Sequence, residues 1–239
     1  MKADLPVVYR KCSAYFAAFP CSLKAIRPLF PHPMLTPITL APGKGVLVAT
    51  VLDHRETSIG AYREVGIGFM ARLRTSGPLP LLPLLADRWF EDVGTWMQFL
   101  AVTTPVANDL ARATLGLPSN VADIQLDRTD DHVTCEVTDG GRRLLQIHMD
   151  RPGVSRPTAL PLRLYSALGD DILFTEMAVD AFGATTRLRP SARLELTDHP
   201  LLRDVVDASA GGAKPLEVRW FDDYRTILDR PSIRYRMSA

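Results

Sequence analysis

Trp96-Met-Gln-Phe-Leu-Ala-Val-Thr-Thr-Pro105-Val-Ala-Asn-Asp-Leu-Ala-Arg112-Ala-Thr-Leu-Gly-Leu117-Pro118-Ser119-Asn120-Val-Ala-Asp-Ile124 is the stretch on which the reading of this chain turns. Within it, apolar residues at Val106, Leu110, Ala113 and Leu117 recur at helical spacing and predict about three turns. Pro118 is expected to end that helix, and Ser119 and Asn120 are then accounted for as a helix-stop turn. Arg112 falls in the last turn, where it can meet the helix carbonyls or pair with Asp109 three residues earlier.

Outward from this helix most of the chain predicts strands. Gly45-Val-Leu-Val-Ala-Thr-Val-Leu52 is a continuous apolar run of β type, and Tyr62 to Leu73 is a second long strand. His132–Thr138 and Arg142–His148 alternate on either side of Asp139-Gly140-Gly141 and predict a hairpin. Further strands are expected at Ile172–Val179, Thr185–Leu188, Ala192–Leu196 and Leu216–Phe221. Short helices are expected at Cys21–Arg27, ending before Pro28, and at Leu201–Val206. Many short strands with turns between them favour a sandwich or barrel. The Pro/Leu-rich segment 77–86 reads as an excursion between two strands, either a lid or subunit contact or a loop packed by its own leucines.

The bulk numbers exclude several classes. In 239 residues, 46% hydrophobic and 23% charged with net charge +1, nothing marks a nucleic-acid or membrane partner. Cys12, Cys21 and Cys135 are odd in number and form no C-x-x-C pair, so no zinc motif can be drawn and a reducing compartment is expected. Met1-Lys2-Ala-Asp-Leu-Pro6 lacks the apolar core of a signal peptide, and a cytoplasmic protein is expected. His32, His54, His132, His148 and His199 show no ligand-like spacing, so neither a metal nor any other cofactor is expected.

The stretch around Arg112 resembles the core of the acetoacetate decarboxylase family. In that family an arginine precedes an aromatic-Pro-Lys-Lys segment, often followed by Leu-Ala-Asp-Ile, and the first lysine forms the Schiff base. Three other segments carry the resemblance: Ala25-Ile-Arg-Pro-Leu-Phe-Pro-His-Pro33, Thr57-Ser-Ile-Gly-Ala-Tyr-Arg-Glu-Val65 and Ala192-Arg-Leu-Glu-Leu-Thr-Asp-His-Pro-Leu-Leu-Arg-Asp-Val205. It implies one domain over residues 1–239, mainly β, an antiparallel β-barrel with a few short helices, assembled as a homo-oligomer. It also places Glu64 on the family's pocket glutamate.

The departures fall on the chemistry. An activated lysine needs an unprotonated amine beside a second cation or in an apolar pocket. Here Ser119 and Asn120 occupy the lysine-pair positions and cannot form an imine. The family's pocket arginine falls on Pro20 and its second pocket glutamate on Ala49. The lysines of the chain are Lys2, Lys11, Lys24, Lys44 and Lys214, and those in turns or on a helix surface are expected to be solvated.

What remains is Glu64, on a strand face shared with Tyr62, Gly66 and Gly68, where the glycines would leave room for a ligand. Burial in an apolar barrel disfavours a carboxylate's charged form and suits general acid or base work, so Glu64 is the candidate catalytic residue. The competing reading pairs Glu64 with an arginine such as Arg112 as a structural tie. Tyr62, Arg112, Ser119 and Asn120 are the candidate substrate contacts: Arg112 for a carboxylate, the other two for a carbonyl in the vacated space. Three functions follow in order. The first is an enzyme acting on a small oxo acid or its enol by proton transfer, cyclisation or hydration/dehydration. The second is a non-catalytic binder of a small oxo acid or apolar carbonyl. The third is a decarboxylase with a relocated lysine.

Overall fold

Tyr62–Leu73 forms a strand with the bounds its composition predicts, and its alternation shows why. Val65, Ile67 and Phe69 point to one buried face, while Tyr62 and Glu64 point to the other. The computed structural model describes residues 5–73, 91–209 and 211–236, so the segment 77–86 and Lys2 lie outside the described residues.

The strands are β1 (Val7–Ser22), β2 (Leu35–Pro37), β3 (Lys44–Thr57), β4 (Tyr62–Leu73), β5 (Val93–Val102), β6 (Ser119–Val121) and β7 (Asp123–Arg128). There follow β8 (His132–Asp139), β9 (Arg142–Asp150), β10 (Arg156–Leu168), β11 (Asp171–Thr186), β12 (Ala192–Leu196), β13 (Glu217–Leu228) and β14 (Ser232–Arg236). The helices are α1 (Leu23–Ile26), α2 (Pro105–Ala113) and α3 (Arg203–Ala208). Strands β4-β3-β1-β13-β11-β10-β5 are neighbours in that order, and pairing of β5 back onto β4 closes them into a seven-stranded barrel. Every barrel pairing is antiparallel except β5 with β10. Strands β7, β8, β9 and β12 form a separate antiparallel sheet.

The alternation separates an outer from an inner core, beside a smaller cluster around Trp96, Tyr165 and Phe174. Tyr15, Ala17, Ala49, Val51 and Ile67 leave the barrel outward and pack with Val133, Cys135 and Ile147 of the second sheet. Ala14, Leu52, Met97, Leu100 and Tyr224 point inward. Ala49 therefore faces the second sheet, and its neighbours Val48 and Thr50 line the barrel interior.

One irregularity decides what faces inward on β13. Residues three apart on a regular strand point to opposite faces, yet Phe221 and Tyr224 both enter the inner core. The register slips here against both neighbours: Ala14 opposes Phe221 but Cys12 opposes Tyr224, and on β11 the slip falls between Phe182 and Gly183. This bulge carries Asp222, which accepts hydrogen bonds from Arg128 (2.7 Å), Arg151 (2.5 Å), Trp220 Nε1 (2.9 Å) and the Ser155 hydroxyl. Arg128 and Arg151 also lie over the Trp220 ring. The ionic node thus ties the second sheet to the barrel and fixes the bulge.

The hairpin is found as expected, with Asp139 paired to Arg142 and both loop glycines at positive φ. The predicted strand at 45–52 runs on to Thr57, and β11 absorbs the first part of the strand expected at 185–188. The helix in the deciding stretch is shorter and differently phased than its spacing suggests. Thr104 caps it by accepting the Ala107 N–H, Pro105 opens it, and it ends at Ala113. Gly116, at φ 62°, makes the exit, and a Cβ there would stand 2.4 Å from the Ala167 carbonyl oxygen. Ser119 and Asn120 form no stop turn: they pair in parallel with Leu100 and Ala101 as part of β6. Among the described residues no helix is long and apolar enough to cross a membrane.

Candidate active site

The inner face of the barrel encloses a cavity of about 190 Å³. Ala107, Leu110 and Ala111 on the buried face of α2, with Leu115 and Leu117 beyond it, line this space. Since α2 follows β5 directly, and Val102 at the end of β5 opposes Glu64, the helix covers the end of the barrel at which Glu64 stands.

Glu64 and Tyr62 both line the cavity. Glu64 is 23% exposed, and His54 Nε2 lies 3.8 Å from its Oε2. The register places His54 there: on β3 it opposes Tyr62, while Leu52 opposes Glu64. His54 is 4% exposed and wedged between aromatic rings, its centroid 4.8 Å from Tyr9 and 4.4 Å from Tyr62. Its Nδ1 shares a 3.1 Å hydrogen bond with the Tyr224 hydroxyl, and the hydroxyls of Tyr9 and Tyr62 share one of 2.9 Å. His54 Nε2 has no hydrogen-bond partner among the described residues, at a typical cost of about 1–3 kcal/mol for a buried polar atom.

The phenols are held neutral. Burial raises Tyr62, Tyr9 and Tyr224 above the ordinary tyrosine range, and the Glu64 charge adds to the rise in each. Burial also pushes the Cys12 thiol, beside Tyr224, up to about 11. This pole of the cavity therefore offers three neutral hydroxyls, one imidazole and one carboxylate, and the rest of the wall is mainly apolar. A carboxylate so placed can exchange a proton with a bound molecule, and the imidazole edge can hold that molecule's oxygen.

The other expected contacts lie elsewhere. Arg112 is on the exposed side of α2, where its Nη1 donates to the Ser119 carbonyl at 3.0 Å and ties the helix to β6. Ser119 is fully buried, its hydroxyl without a hydrogen-bond partner among the described residues, and Asn120 is half-buried. None of the three lines the cavity. Glu64 therefore meets a histidine rather than Arg112. The glycines on its strand leave no room for a ligand: Met97, Thr50 and Leu100 take the space next to Gly66, and the Trp96 carbonyl and Thr95 take that next to Gly68. At this pole Tyr9, His54 and Tyr224 are cavity residues that spacing did not single out, and the charged Arg163, Glu217 and Arg219, which also line the cavity, were not singled out either. Among the described residues no group of His, Cys, Asp and Glu is arranged to hold a metal ion.

Comparison with known proteins agrees with this architecture. No curated protein matches the sequence. An acetoacetate decarboxylase structure superposes with a TM-score of 0.69 at 13% identity, covering 98% of this chain and 91% of the other. The acetoacetate decarboxylase of Legionella pneumophila gives 0.69 at 15% identity, covering 98% and 89%. The enduracididine biosynthesis enzyme MppR, complexed with pyruvate, gives 0.68 at 13% identity, covering 99% and 93%. At such identities the likeness concerns the fold. The family model for acetoacetate decarboxylase (ADC) matches residues 1–164, which include β1 to β9, most of β10, α2 and the whole Glu64 pole except Tyr224. The chain belongs to the acetoacetate decarboxylase family.

Proposed function

We propose that this protein acts on a small oxo acid or its enol by proton transfer at Glu64, without a lysine imine. Tautomerisation, cyclisation and hydration/dehydration are the reactions such a group can serve. The observation that carries the reading is a carboxylate opening on a mainly apolar cavity that has no lysine among its described lining residues. Lys11, Lys24, Lys44 and Lys214 are all exposed. The relative MppR has been seen with pyruvate and with the condensation product of pyruvate and imidazole 4-carboxaldehyde, which favours an oxo acid as ligand class. In this reading Tyr62 touches the substrate, while Arg112, Ser119 and Asn120 seat α2 and β6. The protein is a cytoplasmic homo-oligomer with one functional unit over 1–239 and no nucleic-acid, membrane, metal or cofactor partner.

The test is exchange of the pyruvate methyl protons in D₂O, followed by NMR. Wild type should catalyse exchange, and Glu64→Gln should lose it by at least about 100-fold, the usual range for a general base. Borohydride added to the mixture should leave the protein mass unchanged. A lysine adduct, or equal exchange in both proteins, would overturn the proposal. Binding of pyruvate without exchange in either would favour a ligand-binding protein instead.

A further inference from the structure

We propose that His54 Nε2 is a second catalytic group, the one that receives the carbonyl oxygen, so that the substrate is an enolisable ketone bound between His54 and Glu64. This rests on the proton-transfer reading of Glu64 and adds the group that faces the other reacting atom. Three observations carry it. Nε2 is the one side-chain polar atom of His54 without a hydrogen-bond partner among the described residues, while Nδ1 meets Tyr224 and the ring packs at a tilt against Tyr9 and Tyr62. His54 and Glu64 both line the cavity, so a bound molecule can reach both. Their separation of 3.8 Å suits the task. A carbonyl oxygen and its α-carbon stand about 2.4 Å apart, and each can lie within about 3 Å of its own partner across such a gap.

In this assignment the Tyr224 phenol, kept neutral by burial, donates to Nδ1, and Nε2 carries the hydrogen on the side of Glu64. In the step, the Glu64 carboxylate takes the α-proton. The C–H electron pair becomes the C=C bond, and the carbonyl π pair moves to oxygen, where the Nε2–H hydrogen bond holds the charge. The proton rests on Glu64 and returns to carbon, or to another atom of the substrate, when the enolate collapses. No other reactant is consumed.

The probe is 1,3-cyclohexanedione, which carries an enolate oxygen at neutral pH. Its affinity is measured by calorimetry for wild type, His54→Gln and Glu64→Gln, with the His54 Nε2 resonance followed by ¹⁵N NMR in the wild type. Glu64→Gln imitates the carboxyl group after it has taken the proton, so it should bind the enolate at least as tightly as wild type. His54→Gln should bind it at least about 10-fold more weakly, the worth of one hydrogen bond to a charged oxygen. The Nε2 resonance should move on binding in wild type, a readout that stands if His54→Gln fails to fold. Unchanged affinity in a folded His54→Gln, an unmoved Nε2 resonance, or no binding to wild type would overturn the proposal. Failure is separable from that of the proton-transfer reading. Loss of pyruvate exchange in Glu64→Gln with unaltered diketone binding in His54→Gln sinks only the His54 assignment. The expected binding pattern without any exchange sinks only the proton-transfer reading.

Discussion

Replacing Asp222 with alanine should weaken the fold and the site together, because one side chain holds both the second sheet and the bulge that aims Tyr224 inward. Its carboxylate accepts from two guanidinium groups, the Trp220 indole and the Ser155 hydroxyl, and is 17% exposed. Breaking a buried ion pair by removing one partner costs about 3–5 kcal/mol. Arg128 and Arg151 keep 31% and 26% of their side-chain surface, so water recovers part of that loss. About 3 kcal/mol remains, which at roughly 3 °C per kcal/mol for a chain of this size lowers Tm by about 9 °C. A circular-dichroism melt at constant salt measures it. Asp222→Asn keeps the acceptor oxygen and a similar shape but loses the charge, and should fall between wild type and alanine. Tyr224 should lose its hold on His54 in the alanine variant, so diketone affinity should fall even well below Tm. A Tm within ~2 °C of wild type, less than 1 kcal/mol, would show instead that the node is an ornament of the interface.

Gly183→Ala on β11 should be strongly destabilising. Its Cβ would stand 2.3 Å from both the Trp220 carbonyl oxygen and Phe221 Cδ1, so the bulge itself must shift, costing about 2 kcal/mol or more in a urea titration. Gly211→Ala meets nothing within 4 Å and serves as the neutral control. The buried thiols give a pH signature: burial pushes Cys12 to about 11 and Cys21 and Cys135 to about 12, against an ordinary value of 9.0. The folded state keeps these protons while the unfolded state releases them. Their contribution is thus fully present below about pH 9 and is lost as pH rises toward 11–12, at up to about 1.4 kcal/mol per pH unit for each thiol. Urea titrations of wild type and of Cys21→Ala at pH 8 and pH 10 check the sign, and a wild type that gains stability at pH 10 contradicts it.

The barrel was legible because its strands carry local signals. The alternation of β4 and the two glycines between Asp139 and Arg142 each bury one face or turn the chain within a few residues. The end of α2 was not, since tertiary contact of Gly116 with Ala167, rather than Pro118, sets the exit. Strand β6 is three residues long and paired in parallel, too short for alternation to show. The site divides in the same way. Tyr62 and Glu64 share a strand face and could be read together. His54 could have been found by continuing the β3–β4 hairpin two residues past Leu52, where the register sets it opposite Tyr62. Tyr224 could not, because strict alternation from Phe221 turns it outward and only the bulge at Asp222 brings it in.

That difference bears on how a family member without the lysine pair should be interpreted. Ser119 and Asn120 say which chemistry these positions no longer support, and both lie off the cavity on β6. The groups at the Glu64 pole able to move a proton or hold an oxygen come from β1, β3, β4 and β13, and they converge through cross-strand register rather than through any motif. A reading keyed to the lost lysines would therefore end in an inert barrel. The unsatisfied Nε2 of His54, facing Glu64 in an apolar space, is what turns the same barrel into a candidate for enolate chemistry.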